Sequence, residues 1–168
     1  MAQKNQEQAR ATLNKAIETD PDYLNSYNTL ASIFLAENDT ENAKKQHMTI
    51  LEKNENAATS HMILATIYDR EDDFKSAEKH YRKALEINPE FAAAANNLSY
   101  LLSSRTENFD EALTLAQKAK SRSPEDPSVM DTMGFAYYKK GLYGNAVAEF
   151  LDCLKKNPEN PVVRYHLA

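Results

Sequence analysis

Residues 130–158 read MDTMGFAYYKKGLYGNAVAEFLDCLKKNP. Met130, Met133, Gly134 and Tyr137 stand at i, i+3, i+4 and i+7, the spacing of one helix face. A polar turn, Lys139-Lys140-Gly141, separates them from a second stripe of Tyr143, Ala146, Phe150 and Cys153, and Pro158 follows. The stretch predicts two helices joined by a short turn, the second ended by a proline that cannot continue the hydrogen-bond ladder.

The same phrase recurs along the chain. Its alanine returns at Ala9, Ala43, Ala77, Ala112 and Ala146, at intervals of 34, 34, 35 and 34 residues, and its proline at Pro21, Pro89, Pro124 and Pro158, with Glu55 where one proline is missing. A sustained period of this length is the mark of a solenoid built from stacked supersecondary units. On the first helix the fourth site of each period holds Tyr27, His61, Ala95 and Met130, and the seventh Leu30, Leu64, Leu98 and Met133. The eighth is always small: Ala31, Ala65, Ser99 and Gly134. A small residue there lets the second helix approach closely, so a leucine in place of Ala65 should overpack. The eleventh site, Phe34, Tyr68, Leu102 and Tyr137, fills the space beside it. The second helix opens on Phe74, Phe109 or Tyr143, with Thr40 breaking the pattern in the first full repeat.

Trp-x2-Leu-Gly-x2-Tyr, then Ala-x3-Phe, then Pro in a period of 34 is the pattern of the tetratricopeptide repeat, which this sequence resembles over nearly its whole length. The match is best in the quoted stretch. Departures are the absence of Trp, three missing glycines at the small site, the 35-residue third repeat, and His47 and Ala116 at aromatic positions. The resemblance implies an all-α, right-handed superhelical solenoid of antiparallel helix pairs. The register divides it into residues 1–23, a second helix of a truncated repeat, then 24–57, 58–91, 92–126 and 127–160 as full repeats, and 161–168 as the start of a truncated one. An array cut in mid-repeat leaves Val162, Val163, Tyr165 and Leu167 with no following helix to cover them, which predicts either a fragment of a longer array or ends that associate between molecules.

Composition narrows the function. The 168 residues carry a net charge of −5, three glycines and one cysteine. An acidic chain is a poor match to nucleic acid, whose binders rely on clustered Lys and Arg, and no apolar run approaches the length of a membrane span. Cys153 sits at a site that holds Ala in three of five repeats and reads as a small buried hydrophobe. His47, His61, His80 and His166 lie far apart in sequence without metal-ligand spacing, and His47 and His61 fall on packing stripes. No glycine-rich phosphate cradle is present. The reading is therefore a non-enzymatic chain with no cofactor and no metal.

Function in such an array resides on the concave face. With sites 4, 7, 8 and 11 committed to packing, that face is left to sites 2, 5, 6, 9, 12 and 13, and four of these twenty-four residues are charged: Asp69, Arg70, Asp131 and Lys139. The groove is nearly neutral. Tetratricopeptide domains that clamp a carboxylate use Lys and Arg at inner sites where this chain has none, so that mode is set aside. The residues expected to bind a peptide are Asn28, Met62, Asn96, Asn97, Tyr100, Asp131, Phe135 and Tyr138, with amides bonding its backbone and aromatics taking its apolar side chains. The opposing reading is that Asn97 is a structural asparagine of the repeat and that the aromatics merely pack between repeats.

The last two repeats, with the extra residue before Phe109 and the run Asp131 to Tyr138, are similar to tetratricopeptide proteins of the bacterial envelope and of polysaccharide export. The expected role is a protein-interaction scaffold in such an assembly. A regulatory or substrate-recruiting part of a larger enzyme such as a glycosyltransferase, or a scaffold self-assembling through its ends, are the alternatives.

Overall fold

The computed structural model describes residues 2–167, with side-chain environments from residue 5 onward, as ten α-helices and no strand. They are α1 (Ala2–Thr19), α2 (Leu24–Ala36), α3 (Thr40–Lys53), α4 (Ala58–Arg70), α5 (Phe74–Ile87), α6 (Ala92–Arg105), α7 (Phe109–Arg122), α8 (Pro127–Lys139), α9 (Tyr143–Lys156) and α10 (Pro161–Leu167). Met1 and Ala168, the outermost positions of the two half repeats, lie outside the described residues. No described helix is long and apolar enough to cross a membrane.

Helices α2 and α3, α4 and α5, α6 and α7, and α8 and α9 pack as pairs, and each pair packs on the next. The first helices also touch along the array, α4 on α6 and α6 on α8, and so form an inner layer. Local chemistry sets the turns. Asn38, Asp72 and Gly141 hold φ of 60°, 60° and 78° between the helices of their pairs, a left-handed conformation that Asn, Asp and Gly tolerate best. The longer third repeat uses no such residue: α6 runs to Arg105 and Thr106 is extended. Asp39 and Asp73 then cap α3 and α5 by accepting from the backbone amides of Asn42 and Ser76.

The alanine clock is the core. Ala43, Ala77, Ala112 and Ala146 are buried, as are the small sites Ala31, Ala65, Ser99 and Gly134. A Cβ on Gly134 would stand 2.5 Å from the ring of Phe150, so the phenylalanine fills the volume that the missing methyl leaves. Ser99 adds a hydrogen bond, its hydroxyl donating at 2.7 Å to the carbonyl of Ala112.

Charge follows the period as well. Arg10 pairs with Glu37 at 2.9 Å and lies over the Phe34 ring; 34 residues later Lys44 pairs with Glu71 at 2.8 Å and lies over Tyr68. The equivalent position in α5 is Glu78, which pairs with Arg82 of its own helix, and in α7 it is Leu113, buried against Met133 and Ala136, so this ionic latch is confined to the first two steps.

The C-terminal end departs from expectation in part. Val163 is fully buried in a cluster with Met130, Ala146, Phe150 and Cys153, and Leu167 packs half-buried beside it. One face of α10 therefore finds its core on α8 and α9 without a following helix. Val162 and Tyr165 point away and are exposed.

Candidate functional site

The inner layer presents two adjoining hollows. The first, about 290 Å³, lies across α4, α5, α6 and α8, with Val162 of α10 at its edge. Its walls carry Asp69, Asn96, Asn97, Asp131 and Thr132, and the hydroxyls of Thr66 and Tyr81 meet there at 3.3 Å. The second, about 770 Å³, is an aromatic cleft formed by Tyr100, Phe135 and Tyr138 with Tyr143 of α9 and Tyr165 and His166 of α10. Tyr100 borders both.

Of the residues expected from sequence, Asn97, Tyr100 and Asp131 come together around the first hollow and Phe135 and Tyr138 line the second. Phe135 lies 5.5 Å from Tyr100 of the preceding repeat and stacks on His166 at 5.0 Å. The aromatics thus pack between repeats and also bound an open cleft. Asn28 is remote from them, on a separate hollow of about 460 Å³ with Ser32, Thr59 and Ile63. Met62 packs half-buried against the central core.

Asn96 is the main correction to an exposed inner face. It is 93 % buried, from a relative exposure of 7 %. Its amide nitrogen donates to Asn97 at 3.3 Å, while its Oδ1 is buried without a donor. Thr132 and Ser103, at the sixth and twelfth sites of their first helices, are buried too.

The charged residues sort by depth. Asp69 is half-buried with no ion pair or side-chain hydrogen bond among the described residues, and burial raises its carboxyl above the ordinary range. Asp131 is half-buried and accepts a 2.9 Å bond from His166. Arg70 is exposed at the rim, and the Lys139 ammonium lies over the Phe135 ring in the other hollow. A face that is neutral by count thus holds its half-buried acids, Asp69 and Asp131, in the first hollow and its half-buried cation, Lys139, in the second.

Sequence reading missed three participants. Tyr81 belongs to a second-helix packing stripe, yet its hydroxyl reaches Thr66; His166 and Val162 fell in the truncated end. Their spacing in sequence from the residues they join offers no signal. Nor does spacing reveal that His61 and His80 meet, their Nδ1 atoms 2.9 Å apart. Among the described residues, no three His, Cys, Asp or Glu side chains gather as a metal site requires.

Family models described as tetratricopeptide repeat match residues 1–23, 58–91 and 91–123. The chain belongs to the tetratricopeptide repeat family. A TPR repeat-containing protein of Pseudomonas aeruginosa is 34 % identical over 77 residues, which is 46 % of this chain and 13 % of that protein; the aligned stretch spans about an eighth of that relative's length. Among solved structures, MamA superposes with a TM-score of 0.76 at 22 % identity over 99 % of this chain and 90 % of its own. YrrB, described as a TPR protein with an unusual peptide-binding site, gives 0.77 at 18 % over 98 % and 84 %. PilF of Pseudomonas aeruginosa gives 0.81 at 20 % over 98 % and 75 %. At these identities the likeness is one of fold. A tetratricopeptide array is a protein-interaction scaffold, and such arrays are in general non-catalytic.

Proposed function

We propose that this chain binds a peptide or helical segment of a partner protein on its inner face, across the two hollows between α4 and α10. The observation that carries the reading is the contact between Tyr100, which borders both the polar and the aromatic hollow, and Phe135 of the next repeat in the aromatic one. Apolar walls with a few placed polar groups suit a side-chain anchor and backbone hydrogen bonds. The site comprises Asn97, Tyr100, Asp131, Phe135 and Tyr138, with Asn96 behind them; Asn28 and Met62 contribute to the same face further along the array. The repeat division at 24, 58, 92 and 127 places one first helix per repeat on that face. The Pseudomonas relative supports a bacterial setting, and the envelope assembly remains a proposal within it.

A peptide array probed with wild type and with an Asn97→Ala, Tyr100→Ala, Phe135→Ala variant tests the assignment. The variant, with its helical circular dichroism retained, should lose the peptides that wild type captures. Equal capture by both would remove the groove from consideration.

A specific observation also favours self-association. Tyr143, Val147, Leu151, Val162 and Tyr165 are all exposed in the last repeat and the end helix, an apolar density that marks an interaction surface. Light scattering over a hundredfold concentration range should show mass rising with concentration. A constant monomer mass would exclude this mode.

A further inference from the structure

The hollow of about 290 Å³ has an imbalance of hydrogen-bonding capacity. Its wall contains an amide oxygen, Asn96 Oδ1, that is buried with no donor, and a half-buried carboxylate, Asp69, that has neither an ion pair nor a hydrogen bond among the described residues. Asp131 stands in the same wall and receives one hydrogen bond, from His166. Two of the donors nearby are engaged elsewhere: the Asn96 amide goes to Asn97, and the Thr66 hydroxyl lies by the Met62 carbonyl at 3.1 Å and by Tyr81. Arg70 borders the hollow but is exposed to water and forms no ion pair with Asp69. Among the described residues, neither Asp69 nor Asp131 is paired with a lysine or arginine.

We propose that this hollow is a subsite for a lysine or arginine side chain of the bound segment, whose apolar neighbour enters the aromatic cleft across Tyr100. An ammonium or guanidinium supplies several donors and no acceptor. That matches a wall offering Asn96 Oδ1, the Asp69 carboxylate and the free oxygen of Asp131. An unpaired buried acceptor and an unpaired desolvated carboxylate each disfavour the empty state, so a cationic side chain gains affinity by relieving both. Burial already holds the Asp69 carboxyl above its ordinary range, outweighing the opposing pull of Arg105. Tyr100, shared by both hollows, fixes the basic and apolar side chains as near neighbours along the ligand.

The inference rests on the groove reading above, and its test separates the two. A display library of random dodecapeptides is selected at pH 7 against wild type. Enriched peptides are then measured by fluorescence anisotropy with Asp69→Asn, Asn96→Leu and the Tyr100→Ala, Phe135→Ala pair. The expected result is enrichment of Lys or Arg within a few residues of an apolar residue. Asp69→Asn should weaken binding about tenfold or more, in line with loss of a charge-assisted contact. It should also leave thermal stability unchanged or raised, since it removes an unpaired buried charge. Asn96→Leu should do the same, whereas a purely structural asparagine would leave affinity untouched. Peptides without basic residues that still depend on Tyr100 and Phe135 would overturn the cation subsite and spare the groove. Peptides indifferent to every variant, or no enrichment at all, would overturn both.

Discussion

The Nδ1 atoms of His61 in α4 and His80 in α5 lie 2.9 Å apart, and the Nε2 of His61 is 3.1 Å from the carbonyl oxygen of Glu55 in the turn before α4. A carbonyl only accepts, so neutral His61 carries its proton on Nε2 and receives the Nδ1 proton of His80. One hydrogen bond thus joins the two helices of a repeat, and it fails when both rings are protonated.

Burial lowers the pKa of His61 and His80, and likewise of His47, which bonds to Ser60 at 3.2 Å. Folded values below 6.5 mean that, as pH falls from about 6.5, the unfolded chain takes up protons the folded chain does not. Stability supported by these neutral rings is therefore full above that pH and declines beneath it. Urea midpoints should drop between pH 7.5 and 5.0, and His61→Gln should reduce that drop. An unchanged pH slope in the variant would contradict the assignment.

Gly134 has no room for a side chain. Its Cβ would meet three ring atoms of Phe150 at 2.5, 2.7 and 3.0 Å, so Gly134→Ala should cost about 1–3 kcal/mol, the range for overpacking a tight core. Phe150→Leu in the same chain should offset part of that loss. Denaturant unfolding of the two single variants and the double variant gives the coupling directly. Simple additivity would mean that the two residues do not compete for space.

Two buried serines four residues apart on α6 should behave oppositely. Ser99 donates to the Ala112 carbonyl at 2.7 Å, whereas Ser103 Oγ is buried with no partner. Ser99→Ala should lose about 1 kcal/mol, and Ser103→Ala should be neutral or stabilising because it removes an unpaired polar atom. Thermal melts of the pair check the order.

Cys153 is fully buried, with its sulfur 3.2 Å from the Pro127 carbonyl, and burial pushes its thiol pKa up. Thiol and position together predict inertness. Labelling with a thiol reagent at pH 8 should be slow in buffer and rise steeply with urea through the unfolding transition. Rapid labelling of the folded chain would show that α10 does not hold over the Cys153 cluster.

The helices were legible because packing repeats. Ala43, Ala77, Ala112 and Ala146 must be small for one reason, close helix approach, and that shared constraint writes a period into the sequence. The turn residues Asn38, Asp72 and Gly141 share a backbone conformation, but three residue types meet it, so it leaves no single letter to follow along the period. The groove was legible only as a set of candidates. Counting sites placed Asn96 on the inner face, but only the wedging of α6 between α4 and α8 buries it and leaves its oxygen without a donor.

Periodicity in the sequence alone determined the fold and the burial of the clock alanines and the small sites, since each of these is a local requirement met anew in every repeat. The tertiary structure alone decided that His61 meets His80, that Val163 is covered and that Asp69 and Asp131 share one hollow. These are contacts between particular helices in three dimensions, where one repeat differs from the next, and a pattern that describes every repeat carries no record of them.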